Sequence, residues 1–534
     1  MTRPGGDGGT GLADRSSWRD ALLLALLLAL LTAVALGRPL LPIDETRYAG
    51  VAWEMWARGD FLVPYRNGLP YHHKPPLLFW LIHAGWALFG VNEWWPRLIS
   101  PLFAAGTLAL TALLARRLWP QRPAIAATAP FLLLSSLLFA YFATALMFDA
   151  MLACFVALGL LGLVEAAQGR GARGFTLLAL GLGGALYAKG PVALLHLLPA
   201  ALAAPWWAQR DASRSWPRWY LGVGAAVLGG AALILAWAVP AAVAGGPEYR
   251  QAIFWGQTAG RMTSSFAHRA PWWFYLAWLP LMLLPWLTWP RLWRSLWRAR
   301  GSGLAQEPGV RLTLLVLLVG LLAFTLISGK RWHYLLPQFA PFALLAARAL
   351  DATSGRRADL RLPAAILLAG GLALAAVAAL RTGADDRLVL VAAGVALAAI
   401  GGVLLRQPSR SPRADVRALA TAVLLAYAVG LGAADWLLRA PLDVSATAAQ
   451  LARYEAEGRP VAIVGDYHGQ WQLAGRLRRP LQQIEREQAD AWLAAHPDGR
   501  LIIVYKRADE LPAGARIDYR QPRYRGSQLA ILAH

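Results

Sequence analysis

The chain has 534 residues; 57% are hydrophobic and only 15% are charged, with a mean hydropathy of +0.43. Soluble globular proteins carry about 25% charged residues, so this composition excludes a soluble enzyme, a disordered chain and a nucleic-acid-binding domain. The net charge of +22 does not restore a nucleic-acid partner, because the basic residues, nearly all Arg, cluster between apolar segments, as topology determinants do in membrane proteins.

Apolar stretches of about 18 residues or more recur, each long enough to cross a bilayer. The expected fold class is a polytopic α-helical membrane protein. Thirteen spans are predicted, near 20–38, 96–115, 123–142, 145–166, 174–188, 190–208, 219–244, 272–290, 311–328, 335–350, 362–380, 387–405 and 418–438. With the N-terminus in the cytoplasm, the cytoplasmic side holds 24 basic residues, the opposite loops 14 and the segment after residue 438 another 14. That bias puts the odd-numbered loops and the C-terminal segment outside, in the periplasm of a bacterial inner (plasma) membrane. The run Ala21–Leu36 is read as a retained first span, since no small-x-small cleavage site follows it.

Two segments depart from span-and-loop order. The first outer loop, 39–95, carries helical stretches at Tyr48–Arg58 and Pro75–Phe89, the second suited to the membrane surface. The segment 441–534 alternates helical runs (Thr447–Glu457, Gln488–Ala495) with strand-like runs (Pro460–Val464, Arg500–Tyr505, Gln528–Leu532). The predicted division is a membrane domain over 1–440 and a small periplasmic α/β domain over 441–534. The 25 Trp gather at predicted interfaces, as in Trp94-Trp95, Trp206-Trp207 and Trp272-Trp273. Cys154, the single cysteine, lies in an apolar segment and excludes an intramolecular disulfide.

Ionisable side chains at membrane depth cost roughly 2.5–3.5 kcal/mol or more each, so they need a reason to be there. They concentrate on the outer side. Asp44-Glu45-Thr46-Arg47-Tyr48 follows the first span. Its acids suit a helix start, which does not account for Arg47 and Tyr48 beside them. In Tyr71-His72-His73-Lys74-Pro75-Pro76 the prolines start a helix, and Lys74 with that N-terminus makes an anion site. Asp149 lies alone near the start of the fourth span. Lys189 stands at the outer break between the fifth and sixth spans. Arg261 and His268 fall in a long outer loop, and Lys330, Arg331 and Tyr334 at a further outer break. Three of only four lysines therefore share one face with the carboxylates. Carboxylates alone would suit proton transport. Carboxylates with phosphate-gripping cations suit group transfer from a phosphate leaving group.

This pattern resembles the C-type membrane glycosyltransferases that use a polyprenyl-phosphate sugar. It is closest to the lipid A 4-amino-4-deoxy-L-arabinose transferases and more distant from the protein O-mannosyltransferases. The residues that carry the resemblance are Asp44-Glu45-x-Arg47-Tyr48, Tyr71-x-x-Lys74-Pro-Pro-Leu, Asp149, Lys189-Gly190, Arg261 with His268-x-x-Pro271, and Tyr334-x-x-Pro337. The resemblance implies inverting transfer of a sugar from undecaprenyl phosphate, entering from the outer leaflet, to a lipid A phosphate or another envelope lipid or glycan. It implies catalytic roles for Asp44, Asp149 and Glu45. Arg47, Tyr48, Tyr71, Lys74, Lys189, Arg261, His268, Lys330 and Tyr334 would bind substrate or phosphate. Asp44 would remove a proton from a hydroxyl acceptor. With an ionised phosphate acceptor it would orient groups or bind a metal.

The chain departs from the aminoarabinose branch at two places. His73 replaces a carboxylate before Lys-Pro-Pro, and Trp255-Gly-Gln-Thr-Ala-Gly-Arg261 lacks a Glu-His pair. Both changes touch metal ligands. His73 with Asp44 is the remaining candidate pair for a divalent ion. The expected partners are the lipid-linked sugar, the acceptor and membrane lipids, with no nucleic acid. The alternatives are a flippase of an anionic lipid-linked sugar, which would use the same cations without bond making, and protein glycosylation of the O-mannosyl kind.

Overall fold

The computed structural model describes residues 10–209, 214–256, 269–301, 303–353, 359–381, 383–512 and 514–534. Among them, nine helices are long and apolar enough to cross a bilayer. In chain order the helices are α1 (Thr10–Gly37), α2 (Asp44–Arg58), α3 (Leu77–Phe89), α4 (Trp94–Leu118), α5 (Pro123–Leu134), α6 (Leu137–Phe142), α7 (Asp149–Ala167), α8 (Gly171–Lys189), α9 (Leu194–Leu202), α10 (Ala204–Trp207), α11 (Trp216–Ala244), α12 (Gly246–Gln251), α13 (Phe274–Met282), α14 (Pro290–Ala299), α15 (Pro308–Leu326), α16 (Phe339–Ala352), α17 (Arg361–Arg381), α18 (Ala384–Arg406), α19 (Pro412–Leu442), α20 (Ser445–Ala456) and α21 (Ala489–Ala495). The multi-pass helical architecture is the one expected.

The thirteen expected spans are not all continuous helices, and the breaks have chemical causes. The stretch 123–142 breaks between α5 and α6. There the hydroxyls of Ser135 and Ser136 donate back to the carbonyls of Phe131 and Leu132 at 2.6 and 2.8 Å. The stretch 272–290 stops at Met282, short of Pro285, and 335–350 begins as a 3-10 turn, Trp332–Gln338, through Pro337. The stretches 174–188 and 190–208 join into one long apolar unit, Gly171–Leu202, bent at Gly190–Ala193. Irregular backbone at this depth survives because protein, not lipid, surrounds it.

The hairpin of α7 and α8 positions the site. These helices approach so closely that a Cβ on Gly162, Gly174 or Gly181 would meet backbone atoms of the facing helix at 2.4–2.6 Å. Small residues let membrane helices pack at such distances. Because α7 and α8 have equal lengths, the first residue of one stands opposite the last residue of the other.

The opposite end of the bundle is tied by arginines. Glu165, fully buried near the end of α7, receives Arg117 at 2.7 Å and Arg170 at 2.9 Å. Arg348 engages Glu307, and Arg413 and Arg417 converge on Asp20, joining α1 to α19. These are several of the arginines that the charge bias assigned to one side.

The C-terminal segment forms the expected small α/β unit. Strands β3 (Val461–Val464), β4 (Gln482–Ile484), β5 (Arg500–Tyr505), β6 (Arg516–Tyr524) and β7 (Ser527–Ala533) follow β1 (Tyr65–Arg66) and β2 (Leu69–Pro70), a hairpin in the first loop. The five-stranded sheet has the order β4-β3-β5-β7-β6, parallel among β4, β3 and β5 and antiparallel beyond. Alternation along β5 sends Ile502 into one buried cluster with Tyr467 and Trp471, and Leu501 and Ile503 into another with Trp492. Strands β4 and β6 escape the sequence reading, because both are largely exposed edge strands without an apolar run.

Candidate functional site

The first loop is fixed by Glu45. Its two oxygens accept both ends of the Arg38 guanidinium at 2.6 and 2.7 Å. They also accept the backbone N–H groups of Leu41 at 2.8 Å and Leu146 at 2.9 Å. One carboxylate thus joins the end of α1, the start of α2 and the turn that leads into α7. Burial opposes its ionisation, but Arg38 and the two N–H groups outweigh that cost and hold it below the usual carboxylate range. Four donors occupy it and almost no solvent reaches it, so in this structure it ties three elements of the site together. Asp44, one residue earlier, points outward with half of its side chain exposed and Arg47 at 3.6 Å.

Below this lies Asp149, the first residue of α7 and 1% exposed. Its carboxylate is ion-paired with Lys189, the last residue of α8. The Lys189 ammonium also lies 4.8 Å from the Tyr334 ring centroid. Lys74, at the mouth of α3, places its ammonium 5.4 Å from the ring of Phe148, the residue before Asp149. Tyr48 meets the same ring edge-on at 4.9 Å, linking α2 to α7. Tyr71 is buried against the Arg47 side chain, to which it hydrogen-bonds, and burial raises its phenol above the ordinary value. Asp149, Lys189, Lys74, Tyr334, Tyr48, Tyr71, Arg47 and Asp44 therefore belong to one region drawn from five separate stretches of sequence.

Other expected members stand elsewhere. Lys330 is spent on backbone: its ammonium donates to the carbonyls of Ile327 at 2.6 Å and Ala270 at 3.2 Å. It pins the strand-like contact of Arg269 with Gly329 to the end of α15. Arg261 and His268 lie outside the described residues. His73 stacks on His72 with ring centroids 4.4 Å apart and tilts against Tyr71 at 5.3 Å. Among the described residues no three His, Cys, Asp or Glu side chains gather as metal ligands.

His333 was not among the expected residues. It lies beside Asp149 and Lys189, with its ring 5.1 Å from that of Tyr334 and 5.3 Å from that of Phe142. Burial pushes its imidazole down to about 3, against the pull of the Asp149 carboxylate, so it stands neutral. Its signal was present in the Trp332-His333-Tyr334 run, where the cations beside it drew the reading.

A family model described as dolichyl-phosphate-mannose-protein mannosyltransferase matches residues 73–242, a stretch that holds Lys74, Asp149 and Lys189. An undecaprenyl phosphate-alpha-4-amino-4-deoxy-L-arabinose arabinosyl transferase of Pseudomonas paraeruginosa is 37% identical over 346 residues, which are 63% of this chain and 60% of that one. The corresponding protein of Pseudomonas aeruginosa is 36% identical over 378 residues, 69% of this chain and 66% of that one. The chain thus spans about three fifths of the first of these relatives. The crystal structure of ArnT from Cupriavidus metallidurans bound to undecaprenyl phosphate superposes with a TM-score of 0.74 at 20% identity, covering 98% of both chains. In sequence the chain is similar to these transferases over part of their length, and in fold it is similar to ArnT throughout. The resemblance carried by the motifs is borne out, and so is the fold: the likeness to ArnT runs through the membrane helices and the C-terminal sheet alike.

Proposed function

We propose that the chain transfers a sugar from undecaprenyl phosphate to an acceptor at the outer face of the membrane, with inversion, and that the acceptor is a lipid A phosphate. The observation that carries this is the buried Asp149–Lys189 pair set beside Lys74 and Tyr334. A charged pair and a second ammonium at this depth make a polar, cation-bearing spot in an apolar bundle, which suits an anionic headgroup. The named relatives supply the donor class.

In this reading Lys74, Lys189 and Tyr334 grip the phosphate of the donor. An acceptor oxygen attacks the anomeric carbon as the bond from that carbon to the phosphate oxygen breaks, and the electron pair leaves on the lipid phosphate. The cations stabilise the charge that develops there. An ionised acceptor phosphate needs no base, so Asp44 orients the acceptor, whereas a hydroxyl acceptor would give its proton to Asp44. Asp149 holds the Lys189 ammonium in place. Residues 1–440 form the transferase domain and 441–534 a periplasmic domain, in an inner membrane with the N-terminus cytoplasmic.

The test is release of free undecaprenyl phosphate when the purified protein meets undecaprenyl-phosphate aminoarabinose and lipid A in vesicles. Release with a shift in lipid A mass supports the transferase. Intact donor recovered on the other leaflet would mean transport instead.

A further inference from the structure

The C-terminal unit touches the first loop through a turn that comes unusually close. A Cβ on Gly50, in α2, would lie 2.6 Å from the carbonyl oxygen of Gly469, and Gly469 itself has a φ of +80°. Only glycine permits that approach at both positions. The turn carries His468 to the side of α2 that bears Arg47. Cγ of Arg66, from the β1–β2 hairpin, stands 3.8 Å from the point where a Gly469 Cβ would be. The Arg66 guanidinium lies 5.7 Å from the ring of Tyr71, to which Arg47 also bonds. Arg525, whose backbone N–H is held by the carbonyl of Pro441, adds a third positive charge within reach of His468.

This group is underpaired. Nδ1 of His468 and Nε of Arg47 are both buried without a hydrogen-bond partner. Among the described residues, neither Arg66 nor Arg525 forms an ion pair with a carboxylate. The acids nearby are Asp44, which is shared with Arg47, and Asp466, and both are exposed. Burial and the surrounding guanidinium groups keep the His468 imidazole below its usual range, so it stands neutral, with one ring nitrogen to donate. Three guanidinium forks around a neutral donor match the geometry of a phosphate monoester.

We propose that the seam between the first loop and the C-terminal unit is an anion subsite, formed by Arg47 and Arg66 on one side and His468 and Arg525 on the other, that holds a phosphate of the acceptor. The subsite rests on the transferase reading above for the identity of its ligand. It is built from other elements than the Lys74, Lys189 and Tyr334 grip, and it gives the C-terminal unit a part in choosing the acceptor.

The experiment measures binding, without turnover, to the full chain in phosphatidylcholine nanodiscs. The probes are lipid A, the same lipid stripped of its phosphates, and undecaprenyl phosphate. The wild type binds phosphorylated lipid A at least tenfold more tightly than the stripped form. The double variant Arg66→Gln/Arg525→Gln loses that preference and binds undecaprenyl phosphate as before. Arg66→Lys, which keeps the charge and removes the fork, loses part of it and guards against misfolding of the double variant. The proposal is overturned if the wild type shows no preference, if the double variant keeps it, or if undecaprenyl phosphate binding falls equally. A chain that transfers no sugar yet shows the preference would retain the subsite and refute only the transferase reading.

Discussion

Asp149 opens α7, Lys189 closes α8, and the glycine-packed hairpin between the two helices sets the carboxylate against the ammonium with almost no solvent at either. Removing one member of a buried pair strands the other, at a cost of about 3–5 kcal/mol. Asp149→Asn is therefore expected to lower the thermal unfolding temperature in detergent and to abolish transfer. Asp149→Asn combined with Lys189→Met should recover much of the stability but none of the activity. Full transfer by the double variant would separate the pair from the chemistry.

Glu45 gives a pH dependence. Its carboxyl is held below its ordinary 4.5 in the folded chain. The stability it contributes is fully present above that value and is lost as pH falls through the depressed folded value. Melting curves from pH 7 down to pH 4 should show the wild type losing more stability on acidification than Glu45→Gln. That variant starts lower at pH 7, because the buried Arg38 guanidinium keeps no counter-charge. Parallel losses in the two proteins would remove Glu45 from the account.

Lys74 faces the Phe148–Asp149 turn with a single positive charge. A hydrogen bond to a charged group contributes about 1.5–3 kcal/mol, so Lys74→Met should weaken undecaprenyl phosphate binding by roughly 10–100-fold. Titration into nanodisc-held protein reads this directly. Lys330→Met is the contrast. It should leave that affinity unchanged and lower stability instead, since Lys330 bonds only backbone carbonyls among the described contacts.

Asn67 joins the first loop to the C-terminal unit by a two-point contact. Its amide donates to the carbonyl of Leu481 at 2.9 Å and accepts from the Leu481 N–H at 2.7 Å. Asn67→Ala leaves both backbone groups buried and unmet, at about 1–3 kcal/mol each. Limited proteolysis should then cut near 476–482 faster, while the sheet, which has its own two cores, keeps its circular dichroism.

Much of this was legible in the sequence. The run Asp44–Tyr48, the Lys74-Pro-Pro turn, Asp149 and Lys189 are ionisable groups where apolar ones are cheaper, and the fold brings them to one face. Glu45 and Lys330 look like chemistry because they are charged, yet the fold holds Glu45 by Arg38 and the N–H groups of Leu41 and Leu146, and Lys330 by the carbonyls of Ile327 and Ala270, contacts that no residue pattern displays. His333 is hidden for the converse reason: it becomes distinctive only when Asp149, distant in sequence, lies beside it. Broken spans mislead as well, because hydropathy counts apolar residues and not the Ser135-Ser136 hydroxyls that turn the chain.

The indole N–H of Trp53 donates to the carbonyl of Leu477, 424 residues further along the chain. Helix α2, made early, thus waits for a segment made some 424 residues later before its partner exists. Until translation reaches that point, α2 stands without the surface that covers it. Closure of the first loop is in this sense a late step of biogenesis: a chain halted before Leu477 would carry its membrane helices and still lack the contact that covers α2.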